Sequence, residues 1–429
     1  MDIQRPRGTA DLLPGTVESW QALEETVRET FDTANYQEIR TPIFEHTELF
    51  ERGVGDTTDI VSKEMYTFLD RGDRSITLRP EGTAGAVRAF VENKLYGTGS
   101  ISKLFYIGPM FRYEKPQKGR FRQFHQYGAE VLGTEEPAID AEVIQLNLTI
   151  LRRLGLKDLK VELNSVGCPV CRPKHKAEML AKLEPRRHDL CKECQERLDK
   201  NPLRIFDCKN ESCQAILREV GAPYISDVLC EECETHFQAV QEYLRAMDVP
   251  FVLQKDLVRG LDYYTRTAWE VTSPGFTTIA GGGRYNGLVE QVGGPPTPGI
   301  GFGGGVERAL WVLQEQGGSL GEGHQLDVFV AVADKDADRT AMVVLNSIRG
   351  RGLKSDRDYQ GRGLKSQFKL ADRMKAKYAV ILGEAELASG KATVKDLETG
   401  VQEQIGFAAL ADYIEQHVAE KMASGGKQE

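Results

Sequence analysis

The sequence predicts an α+β fold that is interrupted by a mainly helical insertion and followed by a smaller α/β domain. Segments with the alternating pattern of strands lie at 103–133 and 257–271, on either side of the interruption. All eight cysteines fall at 168–233, inside a polar stretch of mostly helical pattern. After a glycine-rich segment at 315–325, strand and helix patterns alternate, which indicates a small domain with a partly parallel sheet.

The order of the predicted helices and strands divides the chain into four parts. Residues 17–36 have helical periodicity, with Trp20, Leu23, Val27 and Phe31 on one side. Further predicted elements are a helix after Pro42 (41–55), a strand running through Gly82 into a helix (75–95), a strand, basic loop and strand (103–133), a helix (140–155), strands at 257–271 and 278–294, a strand that runs into a helix near Val306 (298–313), and strands at 326–333 and 378–387. The predicted parts are 1–167, a cysteine-rich insertion at 168–250, a return to the first domain at 251–318, and a last domain at 326–425.

The composition is that of an ordinary globular protein. Of 429 residues, 40% are hydrophobic and 28% charged, and the net charge of −9 argues against a simple basic nucleic-acid coat. The N-terminus has no apolar segment of a secretory signal, and no apolar run approaches the roughly 18 residues of a membrane span. We therefore expect a cytoplasmic protein that does not cross a membrane.

One segment departs from the acidic balance. Residues 349–377 carry ten Lys and Arg against three acidic residues. Such a run is either a footprint for a phosphate backbone or a solvated charged face, and charge alone does not separate the two.

The cysteines form four local pairs, at Cys168/Cys171, Cys191/Cys194, Cys208/Cys213 and Cys230/Cys233. Disulfides are not expected in a cytosolic chain, whereas these spacings suit thiolate ligation of zinc. Two four-cysteine sites, one site or none fit the spacing, and the alternative is a set of small buried hydrophobes. A structural Zn²⁺ in the region from Cys168 to Cys233 is thus open, and we assign no metal ligand.

A basic hairpin is the first candidate for binding chemistry. Five cations lie close together with only Glu114 among them, at positions Arg112, Lys115, Lys118, Arg120 and Arg122. An arginine on a strand can clamp a phosphate with paired donors. Phe124, Gln126 and Glu130 share one face of the second strand and would offer a stacking ring, an amide and a carboxylate. The alternative is a hairpin with an exposed basic tip and an internal salt bridge.

Three further segments concentrate polar groups at element ends. Glu81 and Thr83 lie at a strand-to-helix turn, where they either receive an ammonium group or cap the helix. Arg308 falls in the first turn of a helix after a glycine run, where a cation is unfavourable unless it meets a polyanion. At the mouth of the strand at 257–271, Arg259 and a group of polar neighbours surround one glycine. Those neighbours are Asp262, Tyr263 and Tyr264.

Together these segments resemble the class II aminoacyl-tRNA synthetases. "FRYE…GRFRQF" resembles the second motif of that family, "GFGGGVERAL" the third, and "RTPIFEHTELF" the first. More narrowly, "RGLDYYT", "AGGGRYNGL", "RGTADLLP" and "PQKGRFRQFHQYGAE" resemble the histidyl-tRNA synthetase family, bacterial type, from about residue 5 to 420. The resemblance implies an antiparallel sheet flanked by helices, a homodimer, and a C-terminal anticodon-binding domain.

The resemblance also implies an activity and roles for residues. Histidine would be activated with ATP, accompanied by Mg²⁺, to histidyl-adenylate and pyrophosphate, and then esterified to the 3′ end of tRNA(His). Arg259 and Arg112 would be catalytic, on opposite sides of the α-phosphate. The ATP-binding residues would be Arg112, Glu114, Arg120, Phe124 and Arg308. The histidine-binding residues would be Glu81, Gly82, Thr83, Gln126, Glu130, Tyr263 and Tyr264. Asp262 is expected either to orient Arg259 or to close the turn.

Contacts with tRNA are expected at two places. Gln117, in the hairpin loop, would face the acceptor end, and the domain at 326–425 would read the anticodon. Within the basic run, Lys365, Gln367 and Lys369 are expected on a strand or loop as a contact surface.

Other functions are weighed against this one. A non-catalytic histidine-sensing regulatory paralogue would keep the fold but tend to lose the phosphate-clamping arginines and the last domain, which are all present here. A synthetase for another amino acid would not need the "RGLDYYT" pocket. A pure nucleic-acid-binding module would not need aligned arginines for an α-phosphate.

Overall fold

The computed structural model describes residues 3–55, 58–99, 101–276, 278–321, 323 and 325–425. The chain divides into two compact units: Met1–Leu12 with Ser19–Leu320, which we call the first unit, and Leu13–Glu18 with Gly321–Glu429, the second unit. Among the described residues, no helix is both long and apolar enough to cross a membrane.

The strands, in chain order through the described residues, are short to medium in length. They are β1 (Gln37–Glu38), β2 (Phe44–His46), β3 (Tyr66–Leu69), β4 (Ser75–Leu78), β5 (Ser102–Phe111), β6 (Gln123–Leu132), β7 (Lys160–Ser165), β8 (Phe251–Leu253), β9 (Thr265–Thr272), β10 (Ala280–Arg284), β11 (Gly299–Gly305), β12 (Val328–Val332), β13 (Ser355–Arg357), β14 (Tyr378–Leu382), β15 (Lys391–Asp396) and β16 (Gln402–Gly406).

The α-helices alternate with these strands. They are α1 (Val17–Thr33), α2 (Thr47–Val54), α3 (Thr83–Glu92), α4 (Pro137–Arg153), α5 (Cys171–Leu183), α6 (Lys192–Lys200), α7 (Glu211–Glu219), α8 (Glu231–Ala246), α9 (Leu288–Gln291), α10 (Val306–Glu315), α11 (Asp338–Gly350), α12 (Leu364–Arg373), α13 (Glu384–Ser389) and α14 (Leu410–Gly425).

An eight-stranded sheet forms the centre of the first unit. Its order is β1-β5-β6-β11-β10-β9-β7-β8. The six inner strands are antiparallel to one another, while β1 pairs with β5 and β8 with β7 in parallel. The α+β fold expected from the sequence is therefore confirmed, with a parallel pair at each edge that the short terminal strands did not reveal.

Helices cover the two faces of this sheet with different side chains. Phe31 of α1, Leu148 of α4 and Ala309 of α10 pack with Tyr127 and Trp269 in the main core. Across the sheet, α3 and α9 pack with a smaller cluster that contains Tyr263, Tyr264, Ala268 and Tyr285. Because neighbouring residues of a strand face opposite ways, Glu130 in β6 lies on the side away from the main core. That side carries the polar residues that the sequence singled out.

The cysteine-rich segment connects two neighbouring strands of the sheet. It leaves after β7, forms α5 to α8, and returns at β8, which pairs with β7. The insertion has its own cluster, with Met179, Leu198 and Ile216 among its members. The second half of α8 instead joins the main core through Val240 and Leu244. The insertion is thus anchored to the sheet at both ends.

A separate three-stranded sheet, β2-β4-β3, carries the segment around Pro42. It is antiparallel throughout. Large apolar side chains on and beside its strands are exposed, at Ile43, Phe44, Phe68 and Leu69.

The second unit is a five-stranded sheet, ordered β13-β12-β14-β15-β16, with helices on both faces. β12 pairs in parallel with β13 and β14, and the remaining pairs are antiparallel. Val328 and Val330 pack against α11 and α14, while Phe329 and Ala331 pack with residues of α12. The partly parallel sheet expected from the sequence is confirmed.

A buried ion pair ties the hairpin β9–β10 to α4. Arg284 and Asp140 are both fully buried, with Arg284 Nη2 2.6 Å from Asp140 Oδ1. The guanidinium also donates to the carbonyl oxygens of Thr134 and Glu136, and Thr267 Oγ1 donates to Asp140 at 2.6 Å. Removing one member of such a pair leaves an uncompensated buried charge.

We predict that Arg284→Met lowers the free energy of unfolding of the first unit by about 3–5 kcal/mol. The measurement is urea unfolding followed by tryptophan fluorescence, since Trp20, Trp269 and Trp311 are the three tryptophans of the chain and all belong to this unit. The matched control is Arg153→Met, whose ion pair with Glu29 is on the surface and should contribute at most about 1 kcal/mol. Combining Arg284→Met with Asp140→Asn should cost less than the two changes summed, and strict additivity would contradict the ion-pair account.

Candidate active site

A cavity of about 420 Å³ lies among β6, β9, β10 and β11, the hairpin loop between β5 and β6, and the insertion. Seven residues singled out in the sequence line it: Arg112, Glu114, Arg120, Phe124, Gln126, Arg259 and Arg308. They come from segments far apart in the chain, and the pairing of β6 with β11 and of β10 with β9 brings them together. The cavity therefore brings together the basic hairpin, the segment around Arg259 and the start of α10.

The hairpin places Arg112 and Phe124 at one side of the cavity. Arg112 Nε donates to the carbonyl oxygen of Pro80 at 2.9 Å, and its guanidinium carbon is 5.4 Å from the centre of the Phe124 ring. Arg120 Nη1 is 3.3 Å from Glu114 Oε2, which is the internal salt bridge of the alternative interpretation. The hairpin thus has both an internal ion pair and cations that face a cavity.

Arg259 lies on the wall formed by β9 and β10. Its guanidinium pairs with Glu270, which also accepts a hydrogen bond from Thr278 Oγ1. A Cβ on Gly281 would be 2.5 Å from Arg259 Nη1, so glycine is needed there for the arginine to fit. These contacts hold an arginine whose side chain is 17% exposed beside the cavity.

The start of α10 supplies Arg308, as the glycine run predicted. Its Nη1 donates to the carbonyl oxygen of Thr278 at 2.6 Å and its Nε to that of Gly119 at 3.4 Å. Burial, together with the positive charge of Arg120, lowers the pKa of Arg308 from its usual value. Cations that repel one another in a cavity are stabilised by an anionic ligand.

A carboxylate also lies at this helix start, where the sequence analysis did not single it out. Glu307 accepts hydrogen bonds from the backbone N–H of His125, at 2.9 Å to each oxygen. This contact fixes α10 against β6 beside Phe124.

A network of hydroxyl groups surrounds the buried Glu130. Its Oε1 accepts from Thr83 Oγ1 at 2.7 Å and from the Tyr106 hydroxyl at 3.1 Å, and its Oε2 accepts from the Tyr285 hydroxyl at 2.5 Å. Burial raises the pKa of Glu130 to about 8, although these donors act to lower it. Gly301 lies directly opposite Glu130 across the strand pair, and any side chain there would overlap the carboxylate.

The turn before α3 has the helix cap that was one of the two interpretations of its sequence. Glu81 accepts from the backbone N–H of Thr83 at 2.7 Å and of Ala84 at 2.8 Å, so it caps the helix. Burial raises the pKa of Glu81, with these donors opposing the rise. Gly82 lies so close to the Tyr106 ring that a Cβ would overlap it. The same turn presents Thr83 to Glu130.

Tyr263 and Tyr264 are both buried, and their rings are in contact at 4.7 Å between centroids with planes tilted by 58°. The guanidinium carbon of Arg259 is 5.7 Å from the centre of the Tyr264 ring. The tyrosines therefore connect the cavity wall to the cluster around Glu130, which Tyr263 joins through a ring contact with Tyr285 at 5.7 Å.

Side chains of the insertion hydrogen-bond to the segment from Gly260 to Tyr264, which we call the loop. Arg172 donates to the carbonyl oxygen of Tyr264, and Arg204 Nη1 donates to that of Gly260 at 3.3 Å. Asn201 Nδ2 donates to Asp262 Oδ1 at 3.0 Å, and Asp262 N donates to the carbonyl oxygen of Val54. Asp262 thus joins the loop to the insertion and to α2, while Arg259 pairs with Glu270.

The residues expected to contact tRNA are placed unevenly. Gln117 is exposed at the hairpin tip, where its backbone bridges that of Arg120. Lys365 and Lys369 are exposed. Gln367, however, is buried, and its amide bonds to the backbone of Val332 at 2.8 and 2.9 Å.

The expectation for Gln367 was wrong for a geometric reason. The segment is the helix α12, not a strand or loop. Positions 365 and 369 share a helical face, whereas 367 points away from it. Gln367 joins α12 to β12 and presents no surface.

Several residues of the site were not found by sequence reasoning. Tyr285 lies within the quoted segment "AGGGRYNGL", which was a usable signal, and Glu270 alternates with the apolar residues of β9. Tyr106 sits among apolar strand residues and gave none. Its place beside Glu130 follows from the pairing of β5 with β6.

Comparison with known proteins gives the same picture. A family model described as histidyl-tRNA synthetase matches residues 8–309, and one described as an anticodon binding domain matches 327–417. The chain is 55% identical over 416 residues to a histidine–tRNA ligase of Moorella thermoacetica, covering 96% of this chain and 98% of that protein. It is 57% identical over 409 residues to one of Desulfitobacterium hafniense, covering 94% and 96%.

A solved structure is similar over nearly the same length. The crystal structure of apo S. aureus histidyl-tRNA synthetase has a TM-score of 0.83 and 42% identity, covering 96% of this chain and all of that one. The resemblance drawn from the motifs is thereby confirmed, and the chain belongs to the histidyl-tRNA synthetase family.

Proposed function

We propose that this chain is a histidine–tRNA ligase that uses the cavity between Arg112 and Arg259 to form histidyl-adenylate. The observation that carries the proposal is that two arginines from separate segments line one cavity together with the Phe124 ring. The histidine carboxylate attacks the α-phosphate of ATP, pyrophosphate leaves, and the histidyl group then passes to the 3′ end of tRNA(His). Parts 1–167 and 251–318 carry the adenylation, and 326–425 binds the anticodon.

The two arginines act on the charge that develops at the α-phosphate. Arg112 is fixed by the Pro80 carbonyl and Arg259 by Glu270, so both guanidinium groups are in place before the substrates arrive. Cations that need no reorganisation stabilise the transition state more than the ground state.

The remaining cations bind the rest of the nucleotide. Phe124 stacks on adenine, Arg308 meets the γ-phosphate, and Arg120 binds phosphate from the loop side. Glu114 and Glu270 line the cavity and would offer a Mg²⁺ ion bound with ATP the carboxylate oxygens that this cation prefers. The ion would neutralise phosphate charge.

Histidine lies between the cavity and the buried cluster. Glu81, Gly82, Thr83 and Gln126 form the α-amino end of its site, and Gln126 lines the cavity. At neutral pH the raised pKa keeps a proton on Glu130, so its carboxyl group has one O–H donor and about three lone-pair positions, which the three hydroxyls use.

The O–H that remains on Glu130 donates to one imidazole nitrogen of histidine. Tyr264, with Tyr263 beside it, hydrogen-bonds the other imidazole nitrogen. An apolar isostere would leave these buried groups unpaired, so it is rejected strongly.

The tRNA surface is revised by the structure. Gln117 at the exposed hairpin tip faces the acceptor end, and Lys365 with Lys369 belongs to the anticodon-side footprint. We leave Gln367 out because it is buried.

The assembly is proposed to be a cytoplasmic homodimer. Four large apolar side chains are exposed around one small sheet, at Ile43, Phe44, Phe68 and Leu69. Several large apolar side chains exposed on one small sheet mark an interaction site, and a second copy would cover them. ATP and tRNA, the substrates of the proposed reaction, are available in the cytoplasm.

The regulatory paralogue is not supported. The relatives at 51–57% identity are histidine–tRNA ligases over nearly the whole chain. The phosphate-binding arginines and the second unit are in place.

The first test is histidine-dependent ATP–pyrophosphate exchange without tRNA. We predict that Arg259→His lowers the exchange rate by about 10²–10³-fold, because a preorganised transition-state cation is lost. Histidine binding measured by calorimetry should persist. Arg245→His, on the exposed side of α8, is the matched control and should exchange like the wild type.

Two outcomes would count against this assignment. A folded wild-type chain without exchange would remove the ligase function. Equal loss of histidine binding and exchange in Arg259→His would make that arginine a ground-state ligand and not a catalytic residue.

A second prediction concerns the pH dependence of stability. The pKa of Glu130 is raised to about 8 in the folded chain, against about 4.3 when unfolded, so the folded protein retains a proton that the unfolded chain releases. The resulting stabilisation is complete below about pH 4.3 and is lost as pH rises through about 8. Relative to Glu130→Gln, the wild type should lose about 3 kcal/mol of unfolding free energy between pH 5 and pH 8.

Urea unfolding of both proteins, followed by tryptophan fluorescence at pH 5, 6.5 and 8, measures this difference. The exposed Glu25→Gln serves as control and should show no such trend. A constant difference between wild type and Glu130→Gln at all three pH values would contradict the raised pKa. Glu130→Gln should also weaken histidine binding.

A third prediction separates tRNA binding from adenylation. Lys365→Ala combined with Lys369→Ala should raise KM for tRNA(His) several-fold and reduce the salt slope of tRNA binding by about 2, with exchange unchanged. Lys391→Ala, exposed on β15 outside the basic run, is the control. Unchanged tRNA affinity in the double variant would remove α12 from the footprint.

A further inference from the structure

The eight cysteines of the insertion come together as two groups of four. The first tetrad is Cys168, Cys171, Cys230 and Cys233, and the second is Cys191, Cys194, Cys208 and Cys213. In each, the four sulfur atoms all lie within 4.8 Å of one another. Of the arrangements that the spacing left open, the structure thus favours two separate four-thiol groups.

The sulfur separations match a tetrahedral metal site. Cys168 Sγ is 3.7 Å from Cys171 Sγ and 3.8 Å from Cys230 Sγ, and Cys191 Sγ is 3.9 Å from Cys208 Sγ. Four sulfurs at about 2.3 Å from a central Zn²⁺ would be about 3.8 Å apart. A disulfide would require about 2.05 Å, and all eight cysteines are free thiols.

Backbone donors point at sulfur atoms in both tetrads. The N–H of Val170 donates to Cys168 Sγ at 3.3 Å, and that of Cys230 to Cys171 Sγ at 3.2 Å. In the second tetrad the N–H of Cys191 donates to Cys213 Sγ at 3.3 Å and that of Asn210 to Cys208 Sγ at 3.5 Å. Such donors stabilise thiolates, which are the form that binds metal.

Each cysteine pair lies at the start of a helix. Cys171 is the first residue of α5, Cys191 and Cys230 immediately precede α6 and α8, and Cys213 lies in the first turn of α7. Helix N-termini favour negative charge. Two helix N-termini lie at each tetrad, so both tetrads would favour negatively charged thiolates.

Packing alone does not account for this arrangement. Small buried hydrophobes would be expected to avoid solvent, yet Cys168, Cys191 and Cys230 are each partly exposed. The apolar clusters beside the tetrads are small, and small cores commonly need metal or disulfide cross-links. The tetrads would link chain segments that are about 20 and about 60 residues apart.

We propose that the insertion binds two structural Zn²⁺ ions, one in each cysteine tetrad. The ions hold α5 against α8 and α6 against α7. Arg172 adjoins Cys171, and Asn201 and Arg204 precede Cys208, so the metal sites also fix the side chains that brace the loop from Gly260 to Tyr264. This last step rests on the proposed function, whereas metal binding does not.

The direct test is the metal content of the full chain, purified under reducing conditions without added chelator. We expect two zinc ions per chain by plasma mass spectrometry, released when a mercurial reagent blocks the thiols. X-ray absorption should show four sulfur ligands at about 2.3 Å. A folded chain that contains no zinc and has eight freely alkylated thiols would overturn the proposal, as would a ligand shell of oxygen or nitrogen.

Paired variants assign each ion to its tetrad. Cys168→Ser and Cys191→Ser should each lose one of the two ions. Their matched controls, Val170→Ser and Lys192→Ser, replace exposed residues between the same ligands and should retain both. If the wild type binds only one ion, the tetrad whose variant loses that ion is the metal site, and the proposal is overturned for the other tetrad. If a variant does not fold, the wild-type stoichiometry and absorption spectrum still decide.

The consequence for the active site is tested separately. Loss of the ion from the first tetrad should raise KM for histidine in the exchange assay several-fold, since the brace on Tyr264 is weakened. Zinc binding without any exchange activity would contradict the proposed function but not the metal sites. Exchange activity in a chain without zinc would contradict the metal sites but not the proposed function.

Discussion

The buried carboxylate of Glu130 is the constraint on which the arrangement of the first unit depends. It receives hydroxyl donors from Thr83 of α3, Tyr106 of β5 and Tyr285 after β10. A charge or a polar group so deeply buried is tolerated only when it is hydrogen-bonded, so these three elements are held at fixed positions around β6. Gly301 completes the constraint, because the neighbouring strand must have no side chain there. The carboxyl group that we propose binds histidine is thus part of the packing of the sheet.

The insertion extends the same constraint to the loop that follows Arg259. It connects two neighbouring strands of the sheet, so its ends cannot move independently of the core. Arg172 and Arg204 donate to backbone carbonyls of the loop, and Arg204 Nη1 also lies 3.7 Å from Asp262 Oδ1, while Arg259 lines the cavity and Tyr264 is buried. A segment with a small apolar cluster of its own can position a loop in this way only if its helices are cross-linked, which is the role that the tetrads would serve.

The sequence predicted the elements well because their patterns are local. The periodicity of Leu23, Val27 and Phe31 was enough for α1, and the alternation in β9 was enough for a strand. Prediction failed where the answer depended on residues far away in the chain. The contact of Tyr106 with Glu130 is set by strand register, and the parallel strand β1 has only two residues.

The position of Gln367 was predicted wrongly because its segment was expected to be a strand or loop and is a helix. On a strand it would share a face with its lysine neighbours, but on α12 it faces the core. A basic segment whose hydrophobic residues include Leu364, Phe368 and Leu370 was open to both interpretations. Charge composition pointed to a segment with exposed lysines, yet only the helix determined which of its side chains face solvent.

The partners of the arginines in the cavity explain how one site can bind a polyanion and remain ordered without it. Arg112 and Arg308 donate to the backbone carbonyls of Pro80 and Thr278, which fix their direction without cancelling their charge. Arg259 is different, since Glu270 neutralises it in the unliganded chain. A phosphate must therefore compete with that carboxylate. It competes best when its own negative charge is greatest, so the pairing weakens ground-state binding more than it weakens binding of the transition state. In the proposed reaction, an arginine held in this way would contribute at the α-phosphate as charge develops.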